Sequence, residues 1–231
     1  MKAPLLLLPL LALGAVGAPE PLTVVENINL DNGLPRGEWG RIDLCPEGSF
    51  AFAFEIKYSG VGFLDDTSVN AIRLYCEDRS GTLTGYTISS EGNYGQWRGM
   101  RSCGGTGDLL VGMMANVVPD LGTFGDDLGM DNLRMECSNG TVLDGINGDP
   151  SRHKEPLITR SMVALGEREV EAVHLKIEKS ALARDYGDWG SWARCSPNNR
   201  ICGHQSRLEP EHVIDDDAGI TDVVMFCCNF S

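Results

Sequence analysis

The chain has 231 residues, 28 of them glycine and 8 cysteine, and a formal net charge of −14 at neutral pH. That length buries a full hydrophobic core without depending on disulfides, and 42% hydrophobic against 23% charged residues excludes a disordered chain. The acidic balance supplies no long-range attraction for nucleic acid or an anionic membrane surface, so neither is expected as a partner.

Residues 1–17 read as a secretory signal. Lys2 supplies the positive start, Leu5 to Leu13 form an apolar run broken by Pro9, and Ala15-Val16-Gly17 offers small residues for cleavage. The run is shorter than the roughly 20 residues a spanning helix needs. The expectation is a secreted mature chain from residue 18 with no membrane span. In an oxidising compartment the eight cysteines, Cys45, Cys76, Cys103, Cys137, Cys195, Cys202, Cys227 and Cys228, form four disulfides by default. No CxxC pair is present, which argues against a zinc ribbon or a thioredoxin-type site.

Beyond the signal the chain carries a threefold repeat. Trp39, Trp97 and Trp189 each stand six residues before a cysteine (Cys45, Cys103, Cys195) and two after a glycine (Gly37, Gly95, Gly187). Later come Asp65-Asp66, Asp126-Asp127 and Asp216-Asp217, the first of each pair eleven residues before Cys76, Cys137 and Cys227. Between them lie Ile72/Leu74, Leu133/Met135 and Val223/Met225. Phe50, Phe52, Phe54 and Ile56 alternate onto one face of a strand, as do Ile72, Leu74 and Cys76 with Arg73 and Tyr75 opposite. Leu109 to Met114 is the counterpart of the first run, with a blurred pattern. A unit of about 58 residues has room for roughly four strands, so each unit is expected to form one sheet. The three sheets then bury their apolar faces about a common axis, giving one domain over residues 18–231. The repeats run roughly over 22–80, 81–141 and 142–231. The third is longer by roughly 31 residues, an insertion near 147–179 that reads as a long surface loop.

The triplicated Trp…Cys…Asp-Asp…Asn-x-Ile-x-Leu-x-Cys pattern, fullest over Asp65 to Cys76, and the closing Phe226-Cys227-Cys228 resemble the vitelline membrane outer layer protein family. The resemblance runs from about Leu22 to Phe230, insertion excepted. It implies an all-β β-prism of three Greek-key, four-stranded sheets with pseudo-threefold symmetry. It also implies a secreted structural protein of an extracellular coat, with coat glycoproteins or glycans as partners. Binding of carbohydrate, or transfer of N-acetylglucosamine oligomers, is the alternative. By repeat logic Cys45 pairs with Cys76 and Cys103 with Cys137. Adjacent Cys227 and Cys228 would be strained if bridged to each other, so two pairings remain in the third unit: Cys195–Cys227 with Cys202–Cys228, or the crossed pair. Two positions depart from the family's Asn, with Asp131 in the second unit and Thr221 in the third. The acidic charge also argues against attraction to an acidic mucin.

No catalytic residue, metal ligand or cofactor site is assigned. The aspartate pairs 65/66, 126/127 and 216/217 suit glycoside chemistry only at a suitable separation. Sequence neighbours on a strand point to opposite faces, and the motif occurs three times, so a turn or strand-start role is favoured over catalysis. The pairs are read as structural or carbohydrate-contact residues, with a calcium site a further alternative that lacks the EF-hand spacing. The three repeated tryptophans are expected in the core against the disulfides, leaving Trp192 as the candidate exposed aromatic. His153, His174, His204 and His212 form no HExxH and are read as surface histidines. Asn139-Gly140-Thr141 is an N-glycosylation sequon in a loop, and Asn229-Phe230-Ser231 is a second at the chain end.

Overall fold

The computed structural model describes residues 22–59, 67–119, 129–146, 187–209 and 219–230. The signal segment 1–17, all three aspartate pairs, the whole insertion near 147–179 and His153, His174 and His212 lie outside the described residues.

Every regular element described is a β-strand. Sheet 1 contains β4 (Ser49–Ser59), β5 (Ser68–Asp78), β6 (Leu83–Glu91) and an edge strand broken into β7 (Gln96–Trp97) and β8 (Arg101–Ser102). Its order is β6-β5-β4-β7. Three consecutive strands with the fourth returning beside the first make a Greek key. Sheet 2 repeats this with β9 (Leu110–Val117), β10 (Met130–Cys137), β11 (Val142–Asp144), β12 (Asp188–Trp189) and β13 (Ala193–Arg194). Sheet 3 is assembled from both ends of the described chain. The hairpin β14 (Asn199–Leu208) and β15 (Ile220–Asn229) is flanked by β1 (Val24–Asn29) on one side. On the other lie β2 (Glu38–Trp39) and β3 (Asp43–Leu44). All pairings are antiparallel. Among the described residues no helix is long and apolar enough to cross a membrane.

Alternation explains the core. Ile72, Leu74 and Cys76 of β5 are fully buried, as are Leu133 and Met135 of β10 and Val223 and Met225 of β15. They belong to one hydrophobic cluster shared by the three sheets. Residues between them, such as Arg73, Tyr75 and Arg134, are half-buried on the outer faces.

Two expectations need correction. Phe50, Phe52, Phe54 and Ile56 do not share a face. A bulge between Ala51 and Ala53 takes Phe52 out of register, and one extra residue moves every later side chain to the opposite face. Phe54 and Ile56 enter the main core, whereas Phe50 and Phe52 join a satellite cluster with Cys202, Phe226 and Cys228. The sequence unit is also not the sheet. Each Trp-to-Cys segment is the edge of the preceding unit's hairpin: Trp97 pairs with Lys57, Trp189 with Asn116 and Trp39 with Arg207.

That offset turns the disulfides into staples between sheets. β4, β9 and β14 each carry a bulge, leaving Phe52, Val111 and Cys202 unpaired in the ladder. Their carbonyls accept the amides of Cys103, Cys195 and Cys45. Each cysteine so anchored bonds to the next sheet: Cys45 to Cys76, Cys103 to Cys137 and Cys195 to Cys227. The three bonds close a ring linking sheet 3 to 1, 1 to 2 and 2 to 3. Cys202–Cys228 lies within sheet 3, across β14 and β15.

Candidate functional site

The glycine two residues before each tryptophan lets the edge strand approach its hairpin. A Cβ on Gly95 would lie 2.5 Å from the Tyr58 carbonyl carbon, one on Gly37 2.5 Å from the Leu208 oxygen, and one on Gly187 2.3 Å from the Val117 carbonyl. With the edge seated, the indole meets an arginine on the outer face. Arg73 lies 3.8 Å from the Trp97 ring centroid, Arg134 4.0 Å from Trp189 and Arg207 4.4 Å from Trp39. A carboxylate orients two of these guanidinium groups: Arg73 Nη1 donates to Glu55 Oε2 at 3.3 Å and Arg134 Nε to Asp144 Oδ2 at 2.9 Å. Arg207 instead donates to the Leu34 carbonyl at 2.8 Å. Each ring–cation stack contributes about 0.5–2 kcal/mol and latches an edge of two residues that backbone bonds alone would hold weakly.

The tryptophans are therefore not core residues. Trp39 is 38% exposed, and Trp97 and Trp189 are half-buried. Trp192 is half-buried under Arg194 rather than free. The reason is parity: the position paired with Lys57, Asn116 or Arg207 faces outward, and an arginine stem supplies the cover.

Sheet 1 carries more than the other two. Tyr75 and Tyr86 stand beside the Arg73–Trp97 stack, with Arg73 5.0 Å from the Tyr86 ring. Tyr75 donates its hydroxyl to Glu55 Oε2 at 2.7 Å, and Glu55 Oε1 accepts the Gly99 amide at 2.8 Å. Burial, with Glu55 adding to it, pushes the Tyr75 phenol above its ordinary value. Tyr86 is 60% exposed, which leaves an aromatic surface beside a neutralised Arg–Glu pair.

At the end where β5, β10 and β15 begin, the repeat's Asn70 and the two residues that replace it, Asp131 and Thr221, take three solutions. Asn70 donates to Thr67 Oγ1 and the Ser68 carbonyl, Asp131 accepts from Tyr58 and Ser68 hydroxyls, and Thr221 donates to the Arg36 carbonyl. All three side chains are buried and hydrogen-bonded within the described residues. Glu26, Cys195 and Cys227 bring ligand-type atoms together. The sulfurs are bonded to each other, and Glu26 accepts from Ser196 and Asn199. Those bonds, Asn199 foremost, hold its carboxyl below the ordinary range. The set suits a structural corner, not a thiolate metal site.

Asn139 sits exposed in the turn after β10, donating to Asp108 and the Cys103 carbonyl and accepting the Thr141 amide. Asn229 is exposed at the end of β15. His204, read as a surface histidine, is fully buried. The arginine latches were also missed, although a charge in the middle of Ile72-Arg73-Leu74 and Leu133-Arg134-Met135 is a repeated signal.

Three Greek-key sheets around one core, closed by inter-sheet disulfides, define a β-prism protein. A family model described as Vitelline membrane outer layer protein I matches residues 26–153 and 168–230, and the chain belongs to that family. The break in the match lies within 147–179. A vitelline membrane outer layer protein 1 homolog from Mus musculus is 27% identical over 205 residues, covering 87% of this chain and 82% of the relative. The homolog from Homo sapiens is 28% identical over 206 residues with the same coverages. Among solved structures, artocarpin complexed with mannotriose aligns at TM-score 0.45 and 8% identity, covering 90% of this chain and 98% of that one. Frutapin, a lectin from Artocarpus incisa, aligns at 0.48 and 9%, covering 91% and 99%. Likeness this distant carries no argument about ligands.

Proposed function

We propose that the chain is a secreted structural protein of an extracellular coat or secretion, of the vitelline membrane outer layer kind, with coat glycoproteins or glycans as partners. The observation that carries this reading is the closed ring of inter-sheet disulfides. Such bonds belong to oxidising compartments, and they suit a molecule that must persist. The reading takes residues 1–17 as a cleaved signal, 18–231 as one domain, Asn139 as a glycan acceptor and the aspartate pairs as turn residues. Expression of the full chain in a secretory eukaryotic cell tests it. The expected product is in the medium, begins at residue 18, has no free thiol and loses mass on glycosidase treatment. Retention in the cytosol with titratable thiols overturns it.

Carbohydrate binding is the second reading, favoured by the exposed Tyr86 beside Arg73, Tyr75 and Trp97. A glycan array and incubation with N-acetylglucosamine oligomers separate the two. Binding abolished by Tyr86→Ala supports the second. Transfer lost in Asp65→Asn or Asp66→Asn, but not in the corresponding variants of the other units, replaces the first.

A further inference from the structure

His204 occupies a position that its repeat partners fill with apolar side chains. It pairs with Met225, as Phe54 pairs with Leu74 and Met113 with Met135. Its ring lies at the seam where β14 of sheet 3 meets β6 of sheet 1. The Ser89 amide donates to Nε2 at 3.4 Å, and Nδ1 lies 3.0 Å from Thr87 Oγ1. A backbone N–H can only donate, so Nε2 must be unprotonated and the ring neutral. The rest of the seam is also hydrogen-bonded. Asp43 of sheet 3 accepts the Ile88 amide at 2.9 Å, Ser90 bonds to Ser206, and Ser89 Oγ donates to the Arg41 carbonyl at 2.6 Å. Across the same seam runs Cys45–Cys76.

We propose that His204 is an acid-operated latch: protonating Nε2 sets two donors against each other and parts β14 and β3 from β6, while Cys45–Cys76 keeps the two sheets joined. Asp43 is the charged group that acts on the ring, together with the Ile72 carbonyl, and both favour the proton. Other charged groups of the packed elements are engaged elsewhere. Arg41 bonds to Asp43, Glu55 to Arg73, Lys57 to Glu91, Asp222 faces Arg207 on the Trp39 stack, and Arg200 lies over Phe230. Glu77 accepts the Gly107 amide, Asp78 caps its own turn and Glu38 is exposed. Strand β9 has no charged residue. Burial outweighs Asp43 and lowers the histidine to about 4 from 6.5. The unfolded chain thus binds the extra proton first as pH falls. The latch is fully closed above about pH 6.5 and is lost progressively down to about pH 4.

The test uses the disulfide-intact mature chain and compares equilibrium unfolding of wild type and His204→Gln from pH 7 to pH 4. Gln keeps an acceptor for Ser89 and does not titrate. Between pH 7 and pH 4 the wild-type folded-to-unfolded ratio should fall about 100-fold further than the variant's; the full value of 2.5 pH units, about 300-fold, is approached only below pH 4. Amide exchange of Ile88, Ser89 and Ser90, corrected for intrinsic rate, should accelerate at pH 4 ahead of Leu133 in sheet 2. If His204→Gln fails to fold, Asp43→Asn serves, since it retains an oxygen for Ile88 while removing the charge that favours protonation. Its opening should move to lower pH. Parallel pH profiles for wild type and His204→Gln, an unmoved profile in Asp43→Asn, or uniform exchange at all three seams would overturn the latch.

Discussion

Gly95 and Gly104 adopt nearly the same φ, +83° and +89°, but differ in their surroundings. Nothing lies within 4 Å of a Cβ built on Gly104, whereas one on Gly95 runs into the backbone of β4. Gly104→Ala should therefore cost only the left-handed conformation, about 1–2 kcal/mol. Gly95→Ala should cost more, upwards of about 3 kcal/mol, because β7 must retreat and Trp97 leaves Arg73. Urea unfolding of both variants checks this, with equal costs refuting the close approach. At this scale the sequence was partly readable. Glycine, tryptophan and cysteine at fixed spacing marked each edge segment. The partner of each tryptophan was hidden, because spacing along one segment carries no information about which strand lies beside it. Arg207 hid best of all. It comes from the strand paired directly with its tryptophan, whereas Arg73 and Arg134 reach across from the next one.

The bulged strand and its staple act as one element. Phe50, Phe52, Phe54 and Ile56 alternate without a break, so nothing local announces that Phe52 leaves the ladder. The bulge becomes intelligible only with Cys103 in place, its amide on the Phe52 carbonyl and its sulfur on sheet 2. The same blindness explains why unit and sheet were equated. A Trp-to-Cys segment has one spacing whether it joins its own hairpin or the one before. Removing Cys103–Cys137, a loop of 34 residues, should cost about 3–4 kcal/mol on the chain-entropy estimate. Cys202–Cys228 closes 26 residues and should cost nearly as much. The two losses should differ in place. Cys103→Ser with Cys137→Ser should speed amide exchange along the β8 and β10 faces of the seam between sheets 1 and 2. Cys202→Ser with Cys228→Ser should speed it within β14, β15 and the satellite cluster around Phe50. Native-state exchange of the two double variants reads the difference, and identical patterns would refute the division between inter-sheet staples and an intra-sheet brace.

Sheet 3 shows how the whole molecule closes. Its hairpin β14–β15 comes from the end of the chain, while both flanking strands come from the beginning: Val24 to Asn29 lie along Cys228 to Val224, and Trp39 beside Arg207. A chain built in sequence order therefore has nothing to complete its last sheet until the first strand folds back, so the ring is sealed by a long-range pairing. Such pairings form late and slowly. The first strand was not readable as such, because Leu22 to Asn29 has no landmark of the repeat and its role emerges only from the missing third strand of the last unit. Removing residues 18–30 should leave β15 with a free hydrogen-bonding edge and take Ile28 out of the core. An unpaired edge recruits other chains. The shortened chain should run as dimers and larger species on size exclusion and bind a hydrophobic dye. A chain beginning at residue 18 should run as a monomer. Monomeric, dye-silent behaviour of the shortened chain would mean that β1 only rests on sheet 3, and that the ring is closed by the Cys195–Cys227 staple and the β2–β3 edge alone.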